Sequence, residues 1–357
     1  MSNLLQVKQA YTGEVLKELK MHDSKQVDQM LTTAQTLHQQ GALPVYERVN
    51  ILRKLADLVA NEHEQFSQLI ANEGGKPIRD ARVEVTRAVG GIHIAIAEIQ
   101  TSQGTEIPMD LSAAGSGRKA FTILEPIGVV VAVSAFNHPL NLAIHQVIPA
   151  VATGCPVIIK PAELTPLSTL RLAELILEAG LPAGWVQVAL TNRENSEKLV
   201  TDSRVAFFSF IGSSKVGWYL KSKLAPGVRC ALEHGGVAPL IFDQYADEEG
   251  FVNGVVKASM YHSGQVCVSV QRVYVPQNRA NELAQKIADI AAKQVVGDAI
   301  NEDSDLGPLI LPKETDRIES WVNEAVEQGA QVLTGGKRIN DVSYEPTVLL
   351  NPSKKSK

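Results

Sequence analysis

The stretch Val129-Val-Val-Ala-Val-Ser-Ala-Phe-Asn-His-Pro-Leu-Asn-Leu-Ala143 decides the fold. A short apolar run, Val129–Ser134, reads as a strand, a polar turn follows, and the apolar residues from Leu140 to Ala152 recur at helical spacing. The same unit repeats downstream. Strands are expected at Pro156–Lys160, Val186–Ala189, Ala206–Ile211 and Ala238–Phe242, with helices at Ser168–Ala179, Ser196–Asp202 and Val216–Leu224. Such alternation predicts α/β architecture with parallel βαβ units, whose ligands bind at the carboxyl ends of the strands.

Outward from this block, the residues from about Ser24 to Glu73 show helical periodicity, as in Val27, Met30, Leu31, Ala34 and then Val49, Leu52, Leu55, Val59. A further helix is expected over Ile78–Ile99, and Lys119-Ala-Phe-Thr-Ile-Leu-Glu125 before a Pro-Ile-Gly turn suggests a hairpin or arm. A second α/β region is expected from Glu248, with helices at Phe251–Tyr261, Arg279–Lys293 and Lys313–Gln328 and a strand at Val270–Val275. The tail from Asn351 to Lys357 is polar and expected to fray.

Composition narrows the function classes. The chain has 357 residues, 45% hydrophobic and 20% charged, which suits a globular protein of about two domains. Its net charge of −5 and lack of a basic stripe argue against nucleic acid as a partner. Cys155, Cys230 and Cys267 are widely spaced and form no C-x-x-C pair, so no disulfide framework and no metal site is expected, and a reducing cytoplasm fits. The N-terminus lacks the basic-then-apolar build of a signal peptide, and no apolar run is long enough to span a membrane.

Cys267, in Tyr261-His-Ser-Gly-Gln-Val-Cys267-Val-Ser-Val-Gln-Arg272, sits in a small, Gly-flanked, weakly polar setting where backbone N–H groups can favour a thiolate. A lone cysteine is more often a small buried hydrophobe. What changes the reading is a series of segments in order along the chain: Thr12-Gly-Glu14, Gly74-Gly-Lys-Pro77, Ser134-Ala-Phe-Asn-His-Pro139, Lys160-Pro-Ala-Glu163, Leu232-Glu-His-Gly-Gly236, Gly264-Gln-Val-Cys267, Gly307-Pro-Leu309 and Pro346-Thr-Val-Leu349. Together they resemble the NAD(P)-dependent aldehyde dehydrogenase superfamily, with some likeness to its phosphonoacetaldehyde and lactaldehyde branch.

The resemblance implies a variant Rossmann cofactor domain from residues 1–110 and 131–234, a β-hairpin oligomerisation arm at 111–130 and a catalytic domain at 235–350. It implies Cys267 as nucleophile, Asn137 as oxyanion donor together with the cysteine N–H, and Glu233 as the base that activates water. It also places cofactor at Ala135, Phe136, Lys160, Glu163, Gly212 and Ser213. No G-x-G-x-x-G is present, but Gly212-Ser213 lies between a strand and a helix, where backbone N–H groups can meet a pyrophosphate. A plain glycine–serine helix cap is the competing local reading. Glu163 would accept from a ribose 2′-hydroxyl and repel a 2′-phosphate, so NAD is expected over NADP.

Val266 before the cysteine argues against a strongly anionic aldehyde, although Arg87 could serve one. His138 and His234 depart from the apolar residues usual in relatives. The family's Glu-Glu-x-Phe-Gly-Pro segment and the stretch after it, which supplies a strand to the partner subunit of the usual homo-oligomer, are not found after Leu350. The C-terminal part of the fold is therefore expected to be absent. Two alternatives to aldehyde oxidation with hydrolysis follow: an inactive or unstable remnant with partial dinucleotide binding, and an enzyme that passes its acyl group to coenzyme A.

Overall fold

The computed structural model describes residues 4–243 and 246–356. Met1–Asn3, where the expected non-signal N-terminus starts, and Lys357, the end of the expected tail, lie outside them.

The chain starts with a hairpin of β1 (Leu4–Lys8) and β2 (Val15–Lys20), followed by α1 (Ser24–Gln40), α2 (Val45–Asn61), α3 (His63–Gly74) and α4 (Ile78–Thr101). The hairpin was not legible in the helical lead-in, because β2 buries almost nothing and carries no apolar alternation. A short antiparallel pair, β3 (Glu106–Ile107) and β4 (Ala120–Phe121), comes next. The antiparallel pair thus starts earlier than residue 111, and Val129 and Val130 belong to the main sheet rather than to an arm ending at 130.

That sheet holds β5 (Val129–Val133), β6 (Val157–Lys160), β7 (Val186–Val188), β8 (Val205–Gly212) and β9 (Arg229–His234), all parallel, in the order β7-β6-β5-β8-β9. Its crossovers are α5 (Pro139–Thr153), α6 (Leu167–Glu178), α7 (Arg193–Thr201) and α8 (Ser214–Lys221). Successive strand residues point to opposite faces, and this alternation builds two cores. Val130 and Ala132 pack with helices α2, α4, α5 and α6, while Val129 and Val131 pack with α1, α7 and α8. The order reverses at β5: α5 leads away to β6 on one side, and β8 lies on the other. The crevice beyond the carboxyl ends of β5 and β8 is therefore the natural ligand position.

Beyond His234 the chain leaves this sheet. β10 (Pro239–Ile241) pairs in parallel with β11 (Arg272–Tyr274), and α9 (Glu248–Met260) and α10 (Ala280–Ala291) pack around Phe242, Val252, Val255, Val256, Leu283 and Ile287. Last come α11 (Pro312–Glu327), β12 (Gln331–Thr334), β13 (Arg338–Asn340), β14 (Ser343–Tyr344) and β15 (Val348–Leu350), in which β12 pairs with β15 and β13 with β14. Among the described residues no helix is long and apolar enough to cross a membrane, and no His, Cys, Asp and Glu cluster could hold a metal ion.

Candidate functional site

Asn137 lies in the turn between β5 and α5. The turn is anchored at its start by the Ser134 N–H, which donates to the Lys160 carbonyl at 3.0 Å. At its far end α5 opens with Pro139, which has no N–H, and His138 provides no side-chain cap. The next two N–H groups, of Leu140 and Asn141, donate to Glu84 Oε1 on α4 at 3.1 and 3.0 Å. A carboxylate from another helix thus satisfies the orphan donors of this helix start. Glu73 does the same for α6, accepting from the N–H groups of Leu167 and Ser168 at 2.7 and 3.0 Å and from the Ser168 hydroxyl at 2.5 Å.

Both carboxylates are buried, and Glu84 forms an ion pair with Lys76, which is also buried. Burial raises Glu73 to about 7 and pulls the Lys76 ammonium below its usual range, with Glu84 opposing the second shift. Lys76 lies in Gly74-Gly-Lys-Pro77, and the sequence motifs alone attach no role to it or to the two carboxylates. The signal was present: Glu84 interrupts the apolar stripe of Ala81, Val85 and Ala88 on α4.

The cysteine segment is held just as firmly on one side. After α9, His262, Ser263 and Gly264 take successive φ values of 49°, 54° and 74°. Two non-glycine residues in the left-handed region persist only where their surroundings over-determine them. Here Ser263 Oγ donates to the Gly307 carbonyl at 2.7 Å. Gln265 Nε2 donates to the Pro308 carbonyl at 3.2 Å, and Gln265 Oε1 accepts from the Ile310 N–H at 2.9 Å. Gly307 must be glycine, since a Cβ there would lie 1.9 Å from the Gly75 carbonyl oxygen. The Gly-Gly-Lys-Pro and Gly-Pro-Leu motifs therefore brace this turn.

The two segments meet through Asn137 Nδ2, which donates to the Gln265 carbonyl at 2.9 Å. Only the NH2 end of an amide can face a carbonyl, so the side-chain orientation is fixed, and its second N–H remains for another acceptor. His138 stacks on Tyr261, with centroids 6.0 Å apart, and Phe136 lies 6.4 Å from His262. Burial, reinforced by Lys76, Arg87 and His145, lowers His138 to about 3; burial also holds His262 well below its usual value. Both rings are neutral at pH 7.

Cys267 and Glu233 are exposed. Glu233 is paired in register with Ile211 near the end of β9, an edge strand that buries only one face and so lacked the continuous apolar run expected of a strand. Its segment returns to the cysteine at Gly236, where a Cβ would lie 2.8 Å from the Cys267 carbonyl oxygen. His234 points to the other face of β9. It packs on Phe210 and Trp218, under Gly217, whose missing Cβ would be 2.2 Å from its Nε2.

The residues read as cofactor ligands share the same sheet edge. Lys160 ends β6, with its Nζ 3.4 Å from Glu163 Oε1, and Gly212 ends β8. Ser213 occupies the N-cap position of α8, but its hydroxyl makes no cap bond. The capping reading thus gives the position but not the hydrogen bond: the Val216 and Gly217 N–H groups donate to the Ser213 carbonyl, and the exposed Ser213 hydroxyl makes no bond to the helix start. Ala135 and Phe136 flank the crevice after β5, where the Phe136 carbonyl accepts from Thr165 Oγ1 at 3.4 Å.

Residues 2–357 match the aldehyde dehydrogenase family. The 3-sulfolactaldehyde dehydrogenase of Priestia aryabhattai is 39% identical over 349 residues, which cover 97% of this chain and 72% of that one. Among solved structures, aldehyde dehydrogenase 21 from Physcomitrella patens, in complex with the reaction product succinate, superposes with a TM-score of 0.93 at 36% identity, covering 97% of this chain and 72% of that one. The glyceraldehyde-3-phosphate dehydrogenase GapN of Methanocaldococcus jannaschii, complexed with NADP, gives 0.92 at 33% identity, with 97% and 75% covered.

Proposed function

The chain belongs to the aldehyde dehydrogenase family, an oxidoreductase family acting on aldehydes, and from that premise we propose that it oxidises a short aldehyde to the acid through Cys267. The observation that carries this reading is the bond from Asn137 Nδ2 to the carbonyl of Gln265, two residues before the cysteine. It ties a side-chain donor to the backbone that presents the thiol.

The Cys267 thiolate adds to the aldehyde carbon, forming a C–S bond and leaving an alkoxide. The second Asn137 N–H and the Cys267 main-chain N–H are the donors for that oxygen, and preorganised donors of this kind favour the transition state over the ground state. A nicotinamide dinucleotide, which Lys160, Glu163, Gly212 and Ser213 would hold, would accept the hydride that the former aldehyde carbon loses as its C=O re-forms. The acyl group is then a thioester on Cys267. Glu233, exposed to solvent, takes a proton from water, whose oxygen attacks the thioester, and the C–S bond breaks to return the thiol and release the acid.

For the cofactor, Glu163 beside Lys160 favours NAD, because its carboxylate would repel a 2′-phosphate. NADP in GapN marks the alternative. For the substrate, Val266 argued against an anionic aldehyde, but Arg87 favours one. It is exposed, one turn beyond Glu84 on α4, forms no ion pair among the described residues, and its charge reaches His138, His145 and Tyr261. The related enzymes named for sulfolactaldehyde and crystallised with succinate act on or yield anionic compounds.

The test is NADH formation from succinate semialdehyde and from neutral aldehydes of equal length. Preference for the anionic aldehyde that disappears in Arg87→Gln supports the substrate reading. A well-folded chain that oxidises no aldehyde in a broad panel overturns the functional one.

A further inference from the structure

A buried ion pair is weak evidence for stability, since desolvating two charges offsets most of their attraction. Lys76 and Glu84 are nonetheless both fully buried, and the chain surrounds them with specific partners. One Glu84 oxygen pairs with Lys76 and the other accepts from Leu140 and Asn141, the first donors of the helix whose approach carries Asn137. On its other side Lys76 Nζ lies 5.9 Å from the centre of the Tyr261 ring, at the start of the turn that leads to Cys267. That ring stacks on His138, next to Asn137, so the segments bearing the two oxyanion donors interlock above the pair.

We propose that Lys76 and Glu84 are a positioning pair that sets the spacing between the Asn137 side-chain amide and the Cys267 main-chain N–H. The inference rests on the reading of Cys267 as the acyl-forming thiol. Glu84 holds one donor through α5, Lys76 holds the other through Tyr261, and the ion pair locks the two together. Neither residue touches the reacting atoms. Displacing a donor by about 1 Å costs on the order of 100-fold in rate, so a small relaxation here has a large readout.

The experiment compares two reactions of the same thiol in the full chain without cofactor. With p-nitrophenyl acetate the thiolate attacks the ester carbonyl, a C–S bond forms, the C–O bond breaks, and nitrophenolate leaves with the electron pair after a tetrahedral oxyanion. With iodoacetamide the thiolate displaces iodide at carbon and no oxyanion forms. Modification of Cys267 is followed by mass spectrometry, and folding by thermal melting.

In the double variant Lys76→Met/Glu84→Gln, which removes both charges, acylation should fall about 10- to 100-fold while alkylation stays within about twofold. Asn137→Ala should show the same split, and combining it with the double variant should add little further loss. If the double variant does not fold, Tyr261→Leu, which leaves the ion pair intact and removes only the ring that Lys76 faces, should still lower the ratio by about three- to tenfold. A folded variant with the wild-type ratio of acylation to alkylation overturns the positioning role while leaving Cys267 as the acyl acceptor. A wild-type chain that is alkylated but never acylated overturns both readings together.

Discussion

On the α4 side of the crevice, charged groups are buried and paired: Glu73 and Glu84 each accept from a helix start and Lys76 pairs with Glu84, while His138 and His262 are held neutral, the His262 ring nitrogens without a hydrogen-bond partner among the described residues. Across from it, along β9, β10 and β11, the reverse holds. Glu233 and Cys267 are exposed, and so are Ile241 at 75%, Val268 at 71% and Tyr274 at 53%. The first region spends burial on fixing donors that must not move. The second carries its polar groups at an open surface beside apolar side chains that no described residue covers. The contrast teaches that the Asn137 side of the crevice is held by desolvated ion-pair and helix-cap contacts, whereas Cys267 and Glu233 are placed by the backbone alone.

The largest effect should come from the open side. Cys267→Ala removes the only thiol at the site, and aldehyde-dependent NADH formation should fall by at least about 10⁴-fold. Residual turnover above that level, measured by absorbance at the NADH band, would shift the chemistry away from this residue. Next comes the buried side. Lys76→Met or Glu84→Gln alone strands a charge or its partner and should cost about 3–5 kcal/mol in denaturant unfolding, whereas removing both should cost less. A double change that costs the sum of the two single ones would show that the pair is not coupled. Asn137→Ala should cost about 3 kcal/mol in kcat, with KM little altered, in steady-state kinetics.

Smaller effects separate the two regions by pH. His138 has a folded value of about 3, below its ordinary 6.5, so the stability it contributes is complete above 6.5 and is lost as pH falls toward 3. Glu73 is raised to about 7, so its contribution is complete below its ordinary 4.5 and is lost as pH rises through 7. Each contributes a slope of at most about 1.4 kcal/mol per pH unit, in opposite directions. Denaturation midpoints measured from pH 4 to 8 should show His138→Asn flattening the acid limb alone; an unchanged limb would place the acid sensitivity elsewhere. Least is expected of Glu163→Gln, whose carboxylate is about half exposed and whose pairing with Lys160 is worth under about 1 kcal/mol. Stability should hold while the preference for NAD over NADP narrows, and an unchanged cofactor ratio would remove Glu163 from the binding reading.

Much of the fold was legible because its signals are local. Val129–Val133, Val157–Lys160 and Val205–Gly212 are near-continuous apolar runs, as strands buried on both faces must be. β9 escaped because an edge strand buries one face only, and the β1–β2 hairpin because its second strand is almost wholly exposed. The cysteine, its neighbouring motif glycines and Asn137 stood out as motifs. Lys76 stood inside Gly74-Gly-Lys-Pro77 with no role attached, and Glu84 stood in no motif, since a charge within an apolar stripe can be a misplaced surface residue until its partner is known.

The sequence by itself determined the alternation of strands and helices, the family, and which side chains are chemically able to act, because those depend on residue type and short spacing. The tertiary structure decided which of them meet. Asn137 and Gln265 are 128 residues apart and Leu140 and Glu84 are 56 apart, and their hydrogen bonds exist only because packing brings these segments together, in the second case burying a donor that has no water to turn to.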